Sequence, residues 1–522
     1  MTREMHPTRW GDPAAAAPLP DSARGLIELA FGLDERPATE HPSVPPGKVD
    51  EAVLEGLREV VGAEHVLSDD DTRRLRTRGK STPDLLRARA GDLDDAPDAV
   101  VRPGNHDEVA HVLAFAVAHR LAVVPFGGGT CVTGGLAARR DGFAGVISLD
   151  LARMTRLLDV DPVSMTATLE PGLRGPEAEA LLAEHGLMLG HFPQSFEYAS
   201  IGGFAATRSS GQSSAGYGRF DAMVVGLTVA TPSGRLDLGV APSSAAGPDL
   251  RQLILGSEGV FGVITSVSVR VRRVPELTIY DGWRWPSFAV GAAAMRALAQ
   301  AGLLPTVIRL SDEAETGLNL ARPDEIGSDS AAGCLMITGY EGTPAAVKAR
   351  RAAVAAVLPI LGGTDLGEEP GRSWVDGRFR APYLRDSMLD VGVLVETLET
   401  ATWWSNLDRL YTDVKGALEA SLGEGTIVLC HISHVYETGC SLYFTVAAKE
   451  TDDPIAQWRV AKVAAGDAIA AAGATITHHH AIGTDHKAWF RHEIGDIGVS
   501  ILRAVKAELD PTGILNPGVL IP

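Results

Sequence analysis

The sequence predicts an α+β protein of more than one domain, and three observations carry that expectation. A chain of 522 residues exceeds what one hydrophobic core ordinarily organises. Short β-like runs crowd residues 142–274, with a single helical pattern among them. After Pro275 the rhythm becomes helix-strand-strand-helix-strand, the order of a split βαβ sandwich with helices on one side of an antiparallel sheet.

The elements follow in order. Residues 1–47 are rich in Pro and Ala and read as an arm laid over the body, with a short helical piece near Ala23–Phe31. A helix is expected at Asp50–Val61, and Asp69-Asp70-Asp71-Thr72 suits the cap of another. Ala96–Pro103 reads as a strand, Asp107–His119 as an amphipathic helix, and Leu121–Phe126 as a buried strand running into glycines. Strands are expected at Gly145–Leu149, Thr166–Leu169, Met223–Thr231 and Gly262–Val271, and a helix at Gly175–His185. Beyond Pro275 come a strand at Leu277–Trp283, a helix at Phe288–Ala301, strands at Thr306–Leu310 and Cys334–Tyr340, and a helix at Pro344–Leu361. Gly362–Arg372 reads as a loop. A helix at Trp404–Ser421, strands at Thr426–Tyr436 and Ser441–Ala447, a helix at Ile455–Ala472 and a strand at Thr475–His479 complete the set. The expected division is an arm and helical segment over 1–94, a first domain over 95–275, a second over 276–500, and a returning segment over 501–522.

Bulk chemistry narrows the function. Hydrophobic content of 45% with 22% charged residues is that of a folded protein. A formal net charge of −19 argues against a nucleic-acid partner, which needs a broad basic surface, but leaves room for a small anion in a local basic pocket. Cys131, Cys334, Cys430 and Cys440 form no CxxC pair, so neither a disulfide framework nor a zinc-thiolate site is expected. No apolar run has the length of a membrane span, Met1–Pro20 lacks the apolar core of a signal peptide, and Leu520-Ile521-Pro522 is not a peroxisomal address. The expected location is cytoplasmic.

The glycine-rich blocks carry the chemistry. In Pro125-Phe126-Gly127-Gly128-Gly129-Thr130-Cys131, three glycines after a strand let backbone N–H groups approach an anion closely, and Thr130 adds a hydroxyl. Taken alone, the loop fits a dinucleotide pyrophosphate and an ordinary turn equally well. It is not the GxGxxG of a Rossmann site, and it lacks the lysine of a P-loop. Gln194-Ser195-Phe196-Glu197-Tyr198-Ala199-Ser200, then Thr207-Arg208-Ser209-Ser210, then Glu258-Gly259-Val260-Phe261-Gly262-Val263-Ile264 repeat the theme of small residues beside hydrogen-bonding groups.

With Leu509–Gly518 near the C-terminus, these ordered blocks resemble the FAD-binding fold of the vanillyl-alcohol oxidase and murein-reductase flavoproteins. The resemblance implies a PCMH-type two-subdomain FAD-binding domain over 95–275 and a ferredoxin-like α/β cap of the FAD-linked oxidase C-terminal type. It also implies that the four blocks just quoted, Pro125–Cys131, Gln194–Ser200, Thr207–Ser210 and Glu258–Ile264, hold FAD. Cys131 stands where the family has a serine, and Gln194 where it has an aspartate. The glycine loop has no His, and Cys131 is the only nearby nucleophile, so a non-covalent flavin is expected.

Within that superfamily the chain is most similar to the alkyldihydroxyacetonephosphate synthases and their actinobacterial relatives. Those enzymes use FAD without net oxidation: the flavin N5 attacks the substrate carbon, the fatty acid leaves, and a fatty alcohol replaces it. Tyr383-Leu384-Arg385-Asp386 resembles the segment whose arginine grips the substrate phosphate, a role that suits a guanidinium fork. From the residues alone, a salt bridge from Arg385 to Asp386 or Asp390 is the competing reading. Cys440-Ser441-Leu442-Tyr443-Phe444 resembles the strand bearing the family's catalytic tyrosine, here Tyr443, and on a strand Tyr443 shares a face with Ser441 and opposes Phe444.

Thr477-His478-His479-His480-Ala481-Ile482-Gly483 resembles the catalytic histidine run. On the expected strand only His478 and His480 share a face, so no metal site is expected. His191 and Tyr217 lie near the expected flavin path, and Lys487 in His486-Lys487-Ala488-Trp489 could reach an anion. The implied substrate is a lipid phosphate or other small molecule, with peripheral membrane contact and a homodimer as further expectations. The alternative is a flavin oxidoreductase of a 2-hydroxy acid, because the FAD domain serves many reactions and Arg385 suits a carboxylate nearly as well.

Overall fold

In the computed structural model, residues 4–16, 19, 21–137, 139–318 and 333–522 are described. The first sheet runs Val66–Leu67, Ala99–Val101, Gly145–Asp150, Leu121–Phe126, and its last three strands are parallel. Such strands are covered on both faces, and Gly145–Asp150 is buried at every position. Helix His106–His119 makes the crossover between Ala99–Val101 and Leu121–Phe126, capped by Asn105, whose side chain accepts from Glu108 N at 3.0 Å. The glycine loop thus leaves the C-terminal end of a parallel strand, the edge at which open α/β sheets bind ligands.

A five-stranded antiparallel sheet follows, ordered Leu157–Asp161, Thr166–Leu169, Val263–Arg270, Val224–Thr231, Gly234–Leu238. From Leu277 onward the chain builds a seven-stranded antiparallel sheet: Thr364–Gly367, Leu277–Trp285, Cys334–Gly342, Val307–Ser311, Ile427–Ile432, Gly439–Lys449, Val393–Trp403. This α+β architecture is the one the sequence predicts. The alternation of Gly439–Lys449 is functional. Phe444, Val446 and Ala448 are buried, and Phe444 and Val446 share a core with helices Leu407–Leu422 and Pro454–Ala471. Tyr443, Thr445 and Ala447 face the other way, into a cavity.

Several local expectations change. Gly362–Arg372 is not a loop: it holds strand Thr364–Gly367 and opens helix Glu369–Gly377. Strand Val393–Trp403 and helices Ala381–Leu389 and Lys487–Leu509 are additions. The last crosses the expected division at 500, and Val66–Leu67, before the division at 94, pairs into the first sheet. The strand expected at Thr475–His479 is absent, leaving a single bridge between Ala401 and Thr475. The reason is chemical: the N–H groups of His478, His479 and His480 all turn to one carboxylate, Glu399.

Both ends of the chain close on this body. Glu4 pairs with Arg76 at 2.8 Å, Arg9 with Asp390 at 2.8 Å, and Trp10 and Tyr198 share a small apolar cluster. At the other end Val123 N donates to Ile514 O and Asn516 N to Val123 O, both at 2.8 Å, so residues 514–516 lie alongside the parallel strand. Among the described residues no helix is long and apolar enough to cross a membrane.

Candidate active site

One cavity of about 520 Å³ lies between the FAD-type sheets and the inner face of the seven-stranded sheet. Every residue from Pro125 to Cys131 lines it, with Gln194, Ser195, Ala199, Ser200, Thr207, Ser209, Ser210, Glu258, Gly259, Gly262, Val263 and Ile264. The three predicted blocks after the glycine loop therefore converge on that loop. FAD fits this wall on two observations. The Gln194 amide nitrogen is buried there without a hydrogen-bond partner. The loop is also packed so closely that a Cβ on Gly127 would lie 2.3 Å from Ser200 Oγ, and one on Gly128 2.3 Å from Tyr198 O. Such a loop presents bare backbone, which is what close approach of a pyrophosphate requires.

Other residues of those blocks point elsewhere. Val260 and Phe261 are core. Phe196 stacks on Phe379 at 5.8 Å, and Tyr198 OH accepts from Asp12 N, fastening the arm. Arg208 donates to Leu255 O and Gln252 O, tying its block to the short helix Arg251–Ile254, and Glu197 is partly exposed outside the cavity lining. His191 and Tyr217 pack instead of lining the cavity: His191 sits against Phe204 and Phe220 and bonds Ser209 Oγ at 3.0 Å, while Arg272 lies 3.6 Å over the Tyr217 ring. Lys487 donates to Gly518 O.

Glu258 joins the two walls. Its carboxylate accepts from Ile482 N and Gly483 N at 2.9–3.2 Å, and Asn516 Nδ2 donates both to Glu258 O at 2.7 Å and to Gly135 O at 3.0 Å. Burial raises the Glu258 carboxyl to about 7, against the pull of those amides. Burial likewise pushes the Cys131 thiol up to about 11, with Glu258 acting in the same direction, so it stays protonated at neutral pH.

Across the cavity stands Arg385, buried to 9% exposure. One terminal nitrogen donates to Lys80 O at 2.7 Å, Nε lies 3.9 Å from Asp386, and Nη2 is buried without a hydrogen-bond partner. The competing salt-bridge reading fails at Asp390, whose carboxylate is taken by Arg9 and Arg89, and holds only loosely at Asp386, which accepts from Trp10 N. A guanidinium edge without a close partner in a cavity is an anion site in waiting.

Tyr443, His479 and His480 line the same space, and His478 lies behind them. The Tyr443 ring stacks on His431 at 4.8 Å, meets His480 edge-on at 5.6 Å and lies parallel to His479 at 6.2 Å. Burial pushes its phenol up to about 12, against a hydrogen bond from Thr397, so it serves as a neutral hydrogen-bonding group near pH 7. Beneath the run, Glu399 is fully buried. Burial would raise its carboxyl, but His479, His480 and His478 together carry it well below the usual range. His478 and His480 are held low chiefly by burial, His480 at about 3. The side-by-side strand geometry expected for His478 and His480 is thus replaced by a turn wrapped around an anion.

Sequence reasoning missed Glu399, His431, His434, Arg309, Glu315 and Trp10. Arg309 donates to Glu315 at 2.8 Å and lies 2.9 Å from His431 Nδ1, building a charged floor behind Tyr443. His434 stacks on His478 at 4.9 Å and bonds Ser210. The ring nitrogens of His434, His478 and His479 lie within 4.8 Å of one another, and each ring already has a hydrogen-bond partner in the protein. The one available signal was Cys430-His431-Ile432-Ser433-His434, two histidines at the end of an expected strand. The others carry no local mark.

Comparisons with known proteins agree with this geometry. Residues 97–238 match the FAD binding domain family and residues 274–520 the C-terminal domain of FAD linked oxidases. Alkyldihydroxyacetonephosphate synthase of Trypanosoma brucei brucei is 34% identical, covering 95% of this chain and 84% of that one. The Dictyostelium discoideum protein of the same name is also 34% identical, over 97% and 88%. A solved structure of alkyldihydroxyacetonephosphate synthase superposes with a TM-score of 0.86 at 32% identity, covering 99% of each chain. With both domains matched and this likeness running nearly the full length, the chain belongs to the alkyldihydroxyacetonephosphate synthase family of FAD-dependent enzymes.

Proposed function

We propose that this chain exchanges the acyl group of acyl-dihydroxyacetone phosphate for a fatty alcohol, as an FAD-dependent step of ether-lipid synthesis. The observation that carries the reading is the pairing, across one cavity, of a glycine-loop wall with a buried, half-satisfied Arg385 and the Tyr443–histidine cluster. The backbone of Pro125–Cys131, with Gln194 and the hydroxyls of Ser209 and Ser210, would hold FAD non-covalently, and the bound cofactor would supply a nucleophilic ring nitrogen. Arg385 grips the phosphate and so fixes which carbon of the substrate is presented. Tyr443 hydrogen-bonds the substrate as a neutral phenol, and its stacking on His431 fixes the ring plane. His479 and His480 face the cavity, where the His479 imidazole accepts the proton of the incoming alcohol. The apolar end, lined by Ile27, Phe31, Met388, Val395, Ile427 and Ala447, accommodates an alkyl chain. The same proposal places the enzyme in the cytoplasm, as a homodimer with peripheral membrane contact, which fractionation, sedimentation and vesicle binding would check.

The test is anaerobic: the yellow protein is mixed with acyl-dihydroxyacetone phosphate and a long-chain alcohol. Alkyl product with no lasting bleaching of the flavin is expected. Bleaching by a 2-hydroxy acid without alkyl product would sink the transferase in favour of an oxidoreductase. In Arg385→Lys, KM for the phosphorylated substrate should rise about 10²-fold, the ~2–3 kcal/mol of a charge-assisted contact, with FAD content unchanged. Loss of FAD from that variant would place Arg385 in the cofactor site instead.

A further inference from the structure

The proposed exchange leaves a proton to be disposed of. The alcohol loses its O–H proton as the new C–O bond forms, and the old C–O bond breaks to release a fatty acid. A carboxylic acid with an ordinary pKa near ~4 ionises at neutral pH, so each turnover yields one alkyl product, one carboxylate and one proton. The cavity in which this happens is walled by buried side chains, and the proton needs a way out.

A hydrogen-bonded line leads from the cavity to the surface. His479 lines the cavity, and its Nδ1 lies 3.0 Å from His478 Nδ1 and 3.4 Å from the Glu399 carboxylate. His478 is 7% exposed, and its other nitrogen, Nε2, lies 2.6 Å from Tyr436 OH. Tyr436 is 38% exposed. His434, stacked on His478 and bonded through Nδ1 to Ser210 Oγ at 3.2 Å, stays buried beside the line, on the side of the FAD wall. We propose that Tyr436 is the outer end of a proton exit that runs from the cavity through His479 and His478 to solvent. The inference rests on the transferase reading above.

The hops balance. A proton arrives on His479 Nε2 from the alcohol. His479 Nδ1–H passes to His478 Nδ1, His478 Nε2–H passes to the Tyr436 oxygen, and the phenol's own hydrogen leaves to water. Each group gains one proton and gives one up, and no bond to carbon changes. Glu399, against His479 Nδ1, stabilises the imidazolium that forms first. The other groups facing the line are His434, stacked on His478, and His480, Tyr443 and His434 around His479. Arg219 donates to His478 O and pairs with Asp221, and both bear on the Tyr436 phenol, with burial the largest influence, raising it to about 12. That phenol relays through its hydroxyl without becoming a phenolate. Tyr436 is a relay acting through the histidines, not a group that touches substrate.

Tyr436→Phe tests this, since the backbone bond from Tyr436 N to Gly439 O at 2.8 Å does not involve the hydroxyl. The holoenzyme variant should keep its FAD and its KM, while kcat and the release of protons to an indicator dye in weak buffer fall about tenfold or more. Added imidazole buffer, which can reach the exposed end, should restore the rate, and the solvent isotope effect on kcat should grow. Nitrogen-15 spectra of the histidines should show that His478 has changed tautomer. A variant as fast as the wild type, or a loss that no buffer repairs, would overturn the exit. Absence of alkyl product from the wild type would overturn the transferase reading itself, and this proposal with it.

Discussion

The two walls of the cavity are built from different parts of the amino acid. On the FAD side the chemistry is in the backbone: glycines, a proline and small hydroxyl residues, with Glu258 a buried carboxylic acid lining that wall. On the cap side it is in side chains: Arg385 stands on a helix, Tyr443 and His431 on paired strands, and His479 and His480 on the turn around Glu399. A wall made of backbone holds a fixed ligand and tolerates little change in shape. A wall made of side chains can be altered in chemistry while the ligand opposite stays where it is. The FAD side is therefore the part shared among different reactions, and the cap decides which reaction occurs.

The contrast can be broken most severely at Gly128. A Cβ there would meet Tyr198 O at 2.3 Å and Ala199 Cα at 2.7 Å, backbone that cannot step aside. Gly128→Val should cut flavin content about tenfold or more at a stability cost of only about 2 kcal/mol, read by the flavin absorbance of the purified protein and by urea melts. A yellow, stoichiometric variant would show that the loop does not cradle the cofactor.

Glu258 is where the backbone wall depends on a titrating side chain. Its folded pKa of about 7 lies above the ordinary 4.5, so the folded state holds a proton that the unfolded chain has already lost. Stability from this group is full below pH 4.5 and declines as pH rises toward 7. In the FAD-free protein, Glu258→Gln should abolish that decline, about 3 kcal/mol between the two limits, measured as midpoints of denaturation against pH. An unchanged slope would mean that another group carries it.

Glu399 is the mirror case, a side chain on the cap that organises backbone. Glu399→Gln replaces an acceptor of three N–H groups by an amide that can face them with only one oxygen. A loss of about 2 kcal/mol is expected, with activity falling and FAD retained. Flavin lost along with activity would show that the histidine turn also shapes the cofactor wall.

The same division explains what the sequence revealed. Pro125–Cys131 was legible because a backbone site is local: strand, glycines and hydroxyl stand in a row. The helices and strands with clear periodicity, such as Leu121–Phe126 and Thr166–Leu169, fell where expected. Tyr443 and Arg385, which line the cavity, are singled out in the sequence by family likeness and not by any pattern of their own. Glu399 was invisible, because an acidic residue inside Val393–Trp403 gains its meaning only from the register that sets it opposite Tyr443 and beside a turn eighty positions later. For the same reason the triple histidine was read as a strand. Local propensity favoured extension, and a distant carboxylate prevailed.

One consequence concerns the order in which the molecule is made. Val123 exchanges hydrogen bonds with Ile514 and Asn516, and Asn516 holds Gly135 and Glu258 together. The glycine loop is made early, yet the segment 514–516 that braces it and the Asn516 amide that locks it come later, Asn516 lying 381 positions after Gly135. The cofactor pocket is thus completed only after Asn516 has been made, and a polypeptide stopped short of it lacks the brace that sets the glycine loop.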